Sequence, residues 1–178
     1  MAWTAPMTFT DGSPLTAAQL NTHLRDNLAE TAPAKATTEG GYFTSTGPNS
    51  ITERLTVSAI VPNLDTTTST SYTDLAATYG PEVTARTGSK AFVIISGLMR
   101  VDQGTTQVTR MSYEVSGASS IQAGDQYSIR NSGGAAIMPS FCHVVENLTP
   151  GNNTFTAKYR VSSSTGEFST RRITVFPL

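Results

Sequence analysis

Thr154-Phe155-Thr156-Ala157-Lys158-Tyr159-Arg160-Val161 is the stretch that decides the fold. Phe155, Ala157, Tyr159 and Val161 alternate with Thr154, Thr156, Lys158 and Arg160. Successive side chains of a strand point to opposite faces, so this period of two predicts one buried and one wet face. The pattern repeats outward along the chain. Met111, Tyr113 and Val115 alternate with Arg110, Ser112 and Glu114, and Leu55, Val57, Ala59 and Val61 with Thr56, Ser58 and Ile60. Residues 91–101 and 135–145 are more continuously apolar, which predicts central strands. Turn signals fall between the runs at Gly80-Pro81, Gly88-Ser89, Gly104, Gly117, Gly124-Asp125, Gly133-Gly134, Pro150-Gly151-Asn152-Asn153 and Gly166. About eight short strands without intervening helices predict a mainly β fold, an antiparallel β-sandwich or jelly roll, over residues 55–178.

Composition narrows the partners. Of 178 residues, 12 are basic and 13 acidic, so 14 % are charged and the net charge is −1. An average soluble protein carries roughly 25 % charged residues. A near-neutral chain offers no electrostatic footprint for nucleic acid or an anionic membrane, and no apolar run exceeds five residues. No nucleic-acid or membrane partner is therefore expected. The 29 Thr and 19 Ser exceed a quarter of the chain. Thr is β-branched yet wettable, so it suits the outer face of a sheet with few charges. The single Cys142 excludes a disulfide framework and a multi-cysteine metal site. Residues 1–6 lack a basic start and an apolar run, which fits synthesis in a reducing cytoplasm.

Residues 1–54 read differently, as an N-terminal attachment arm. The first 16 are expected to be extended. Thr16 with Gln19 fits a capping box that opens a helix over about 17–30, and Leu15 with Leu20 fits a hydrophobic staple. Leu20, Leu24 and Leu28 recur every four residues and form a narrow apolar stripe. Thr31-Ala32-Pro33 ends the helix, because the residue before proline disfavours helical geometry. Residues 32–54 read as an extended arm with a short anchor or strand at Tyr42-Phe43. A helix this short is marginal alone in water, so its leucines need a partner. The candidate interface is Trp3, Phe9, Leu15, Leu20, Leu24, Arg25, Asp26, Leu28, Tyr42 and Phe43, with Arg25 and Asp26 fixing register by charge-assisted hydrogen bonds.

Catalytic signals are sparse. His23 reads as an exposed helical residue. Cys142 and His143 are adjacent on a strand and cannot form a nucleophile–base pair, with Cys142 expected inside and His143 outside or at an edge. Arg171-Arg172 should split between the two faces and serve a sheet edge or subunit contact. No phosphate loop, dinucleotide fingerprint, nucleophile elbow or calcium loop is present. Neither catalytic activity, cofactor nor metal is expected. Residues 65–71 and 149–153 are polar loops suited to a glycan, with Tyr72 the one aromatic nearby.

Trp3-Thr4-Ala5-Pro6, Phe9-Thr10-Asp11-Gly12 and, above all, LTAAQLNTHLRDNL at residues 15–28 resemble the N-terminal segment of virion structural proteins from tailed bacteriophages, especially those infecting actinobacteria. Residues 31–36 and 49–54 continue the likeness. The resemblance implies a non-enzymatic virion part made in the bacterial host. The implied role is a capsid decoration (cement) protein on the outer capsid, a homo-oligomer, expected to be a trimer, partnered by the phage major capsid protein. The alternative is a minor tail or fibre protein whose sandwich binds a receptor or carbohydrate. The short chain, without repeats or heptads, favours decoration.

Overall fold

The computed structural model describes residues 3–77, 79–102 and 107–178, so the turn expected at Gly104 lies outside the described residues. It divides into two compact units, Met1–Leu55 and Thr56–Leu178.

In the first unit, α1 (Ala17–Leu20) runs through a π-helical segment, Asn21–Asp26, into α2 (Asn27–Ala29). The capping box forms: Gln19 N donates to Thr16 Oγ1 at 3.2 Å and Thr16 N donates to Gln19 Oε1 at 2.9 Å. Hydrogen bonding to the fifth residue widens the π-helical turn, so side chains four apart fall nearly in line. Pro33 does end this run, but it also opens a one-turn α3 (Ala32–Lys35). The expected extended arm over 32–54 is corrected to α3 plus an antiparallel hairpin of β1 (Tyr42–Gly47) and β2 (Ser50–Arg54). The hairpin turns at Pro48-Asn49, with Asn49 at φ 55°. Its strands carry Thr and Ser on both faces, so no apolar alternation announced them.

The second unit is an antiparallel β-sandwich of jelly-roll order. Its strands are β3 (Val57–Val61), β4 (Asp65–Thr67), β5 (Glu82–Thr87), β6 (Ala91–Val101), β7 (Val108–Gly117), β8 (Ile129–Ser132), β9 (Ser140–Val145), β10 (Gly151–Val161) and β11 (Gly166–Pro177). One sheet runs β5-β10-β7-β8; the other runs β3-β11-β6-β9, with β4 also on β11. The pairings nest: β3 and β4 with β11, β5 with β10, β6 with β9 and β7 with β8. A long antiparallel ribbon rolled on itself gives this order, and the β6–β11 and β7–β10 ladders complete the two sheets.

The core is built by the alternation read from the sequence. Val93, Ile95 and Met99 of β6 and Phe168, Ile173 and Val175 of β11 face Met111, Tyr113 and Val115 of β7 and Phe155, Ala157 and Tyr159 of β10, all buried. Each large apolar side chain contributes roughly 1.5–3 kcal/mol on burial. On the outer faces, Thr84 pairs with Thr154 and Ser58 with Thr174, both at 2.8 Å. These cross-strand hydroxyl pairs wet the sheets without charges.

Three sequence expectations need correction. Residues 135–145 are not a central strand; β9 begins at Ser140 and lies at a sheet edge. Its register pairs His143 with Val93 and Cys142 with Ile94, so His143 turns inward and Cys142 is exposed. Arg171 and Arg172 do split between faces, yet Arg171 is fully buried in an interior strand rather than at an edge. A register shift at Ser169/Arg172, with Thr170 at φ 47°, turns it inward. Its guanidinium lies 5.4 Å from the Tyr159 ring centre and Nη2 donates to Asn63 O at 3.3 Å. Gly97 makes the room: a Cβ there would sit 3.1 Å from Met111 Sδ and 3.6 Å from Arg171 Cγ.

Candidate functional site

The N-terminal unit presents the candidate attachment surface. Asn27, which sequence reasoning passed over, organises it. Thr4 N donates to Asn27 Oδ1 at 2.8 Å, and Asn27 Nδ2 donates to Thr4 O at 3.0 Å and to His23 O at 3.1 Å. The first segment is thereby stitched to the helix through the backbone of Thr4. Trp3 N donates to Asn49 O at 3.0 Å, which ties the same segment to the hairpin turn. Lys35 holds the hairpin from the other side, through Ile51 O at 3.0 Å and the Glu30 carboxylate at 2.6 Å. The Lys35 ammonium lowers the Glu30 pKa, chiefly by its hydrogen bond.

Asn27 is the only buried residue among the described residues up to Leu55. Among its described residues the unit has polar stitching and no buried apolar side chain. Most of its large apolar side chains point out instead, while Met7, Tyr42, Phe43 and Ile51 are half-buried. Trp3, Phe9, Leu15, Leu20, Leu24 and Leu28 are all exposed, with Phe9 at 62 % and Leu28 at 58 %. Pro6, Met7 and Phe9 run beside Leu15, Leu20, His23 and Leu24 and border a groove of about 210 Å³. His23 is half-buried at this groove, rather than fully exposed as expected.

The structure therefore brings Phe9, Leu15, Leu20 and Leu24 together and leaves the other candidates apart from that groove. Leu28 continues the stripe. Trp3 borders a second hollow with Glu30, Ser45, Gly47, Asn49, Ser50 and Ile51. Arg25 and Asp26 bind each other, Nε to Oδ1 at 2.7 Å, on the exposed surface. Tyr42 and Phe43 open β1, half-buried, opposite Arg54 and Glu53.

The sandwich carries a separate polar groove of about 440 Å³. Lys158 and Arg160 on β10 and Glu114 on β7 form its floor, on the outer face of the sheet. Thr70, Ser71 and Tyr72 form one wall; Gln122, Ala123, Gly124 and Asp125 form the other. Both walls are anchored. Thr73 exchanges backbone hydrogen bonds with Tyr159, and the Ser112 hydroxyl donates to Gly124 O and accepts from Gly124 N. Tyr72 Oη donates to Asp125 Oδ1 at 2.9 Å and joins the walls. Asp125 also accepts from Arg160 at 2.7–3.2 Å, and the Arg160 guanidinium is the main cause of its lowered pKa. Lys158 Nζ bridges Asp74 at 2.7 Å and Glu114 at 3.0 Å. Burial opposes the Lys158 charge, but the two carboxylates prevail and its pKa is raised. Loop 65–71 thus contributes to this groove through Thr70 and Ser71, while 149–153 does not line it.

No family model matches the chain, and no curated protein matches it. Among solved structures it is similar to the Eiger TNF of S. frugiperda, with a TM-score of 0.42 and 11 % identity over 69 % of this chain and 92 % of that one. It is also similar to infectious bursal disease virus, Gx strain, with a TM-score of 0.41 and 10 % identity. That match covers 79 % of this chain and 39 % of the other, so the chain spans under half of the viral one.

Proposed function

We propose that the chain is a non-enzymatic structural protein of a tailed-phage virion, a decoration protein that grips the outer capsid through its N-terminal unit. The observation that carries this reading is a folded unit whose only buried described residue is polar and in which Trp3, Phe9, Leu15 and the three stripe leucines all face out. Such a surface has no internal use. Burying Leu20, Leu24 and Leu28 against a capsid protein would contribute several kcal/mol, at roughly 1.5–3 kcal/mol each. Several copies joined through their sandwiches would add avidity. The outer face of the β3-β11-β6-β9 sheet supports that joining. Phe92, Ile94, Val144 and Phe176 cluster there, with Phe92 and Phe176 ring centres 6.0 Å apart and Val144 exposed. We propose a homotrimer, as the resemblance to phage decoration proteins implies.

The test is a triple variant, Leu20→Asp, Leu24→Asp and Leu28→Asp, added to capsids that lack this protein. Occupancy should fall at least tenfold while the sandwich melts as before. Full occupancy by the variant would overturn the attachment role.

A further inference from the structure

We propose that the polar groove on the sandwich is a binding site for an uncharged saccharide. This reading is independent of the attachment surface, since every residue it uses lies between Thr70 and Arg160.

The groove's volume, about 440 Å³, falls within the size class of small-ligand sites. Its lining is hydroxyl, amide, carboxylate, guanidinium and ammonium, with Tyr72 the one aromatic and no Leu, Ile, Val or Phe. That composition disfavours an apolar peptide or lipid chain. Its charges compensate. Glu114 and Asp125 balance Lys158 and Arg160, and each cation is already held by a carboxylate at 2.7–3.0 Å. An ionic ligand would have to break one of these pairs and leave the other member poorly compensated. An uncharged polyol does not. It accepts from and donates to groups fixed in place by their own pairing, so little ordering remains to be lost on binding.

The positions are rigid for traceable reasons. Lys158 and Arg160 are two apart on one strand and project to the same face. Arg110 and Arg160 are direct cross-strand partners, a repulsive pairing unless an anion lies near. Asp125 supplies it, 2.7 Å from Arg160 and 3.4 Å from Arg110, and thereby holds the wall over the floor. Tyr72 receives Arg160 over its ring at 5.3 Å. These contacts define the groove before any ligand arrives.

The experiment is saturation-transfer NMR on the full chain. The probes are neutral oligosaccharides of glucose, galactose, mannose and N-acetylglucosamine, with sialyllactose and oligogalacturonate as anionic counterparts. At least one neutral probe should bind with a Kd of roughly 0.1–10 mM, a weak single-site affinity. Asp125→Asn unlatches the wall, and Ala123→Trp fills the groove without touching the ion pairs; each should weaken binding at least tenfold. Lys90→Ala, in the remote Lys90–Glu146 pair, should bind as the parent does. Retention of the native NMR spectrum establishes that each variant is folded. Absence of binding by every neutral probe at about 10 mM, binding of the anionic probes alone, or unchanged binding by a folded Ala123→Trp would overturn the proposal.

Discussion

Single side chains carry more of this structure than their sequence context suggests. Asn27 makes three hydrogen bonds to backbone atoms in a unit whose described residues bury no apolar side chain. Asn27→Ala leaves the half-buried Thr4 amide and two carbonyls without these partners, at about 0.5–1.5 kcal/mol for each hydrogen bond lost. Hydrogen exchange at the Thr4 amide should accelerate at least tenfold while β10 amides stay as slow as before. His143 Nε2 lies 2.7 Å from Tyr113 Oη, and its ring stacks on Tyr127 at 5.2 Å and Phe141 at 4.9 Å. Burial lowers the His143 pKa and raises that of Tyr113. The unfolded chain therefore binds the histidine proton first, near its ordinary pKa of about 6.5. The stability that neutral His143 provides is intact above about pH 6.5 and declines as the pH falls from there toward the lower folded pKa. Melting between pH 7.5 and 5.5 should fall less in His143→Gln than in the parent. Arg171 and Gly97 form a coupled pair of another kind: Gly97→Val would crowd Met111 and Arg171 together. Overpacking of this sort costs about 1–3 kcal/mol, readable as a drop in Tm.

At the scale of elements, the stripe and the strands behave differently on substitution. Leu24 is 57 % exposed. Leu24→Ala should change the chain's own melting by no more than about 0.5 kcal/mol, whereas capsid occupancy should drop; differential scanning fluorimetry beside a pelleting assay separates the two. What was legible in the sequence follows the same division. The strands β3, β7 and β10 were readable because their alternating apolar residues turn to one face; the expected wet face of β7 and β10 is instead partly covered, with Ser112, Thr156 and Lys158 buried. The capping box at Thr16 was readable because both partners lie within four residues. β9 was misjudged because Cys142 and Val144 are apolar yet face outward, so an edge strand resembled a central one. The burial of Arg171 was invisible: its contacts with Asn63 and Tyr159 join positions far apart in the chain. The polar groove was half legible. Tyr72 and the 65–71 loop were noticed, but Asp125, Arg160 and Lys158 meet them only through the roll of the sheet.

Across the whole molecule, the two units differ in what holds them. The sandwich buries a contiguous apolar cluster between two sheets, while the N-terminal unit relies on hydrogen bonds exposed to competition from water. Local stability should follow. Amides of β6, β7, β10 and β11 should exchange only through global unfolding, and those of residues 17–29 orders of magnitude faster; the proposed attachment predicts that capsid binding slows the latter. Hydrogen-exchange mass spectrometry of free and bound protein reads both states. Folding of the sandwich should be slow, in the millisecond-to-second range, because its ladders join β3 to β11 and β5 to β10 across long stretches of chain.

The β3–β11 ladder also has a practical corollary. Val57, which follows the joint between the units, pairs with Val175 near the close of β11. A passenger protein fused after Leu178 would therefore emerge at the same end of the sheet as the start of β3. The β10–β11 turn lies at the opposite end of β11, next to Gly166, where Thr67 and Val101 pair. An epitope inserted at Ser163, exposed in that turn, would be displayed at the opposite end of the sheet from Val57 and Val175, and that turn is the better handle for attaching foreign cargo.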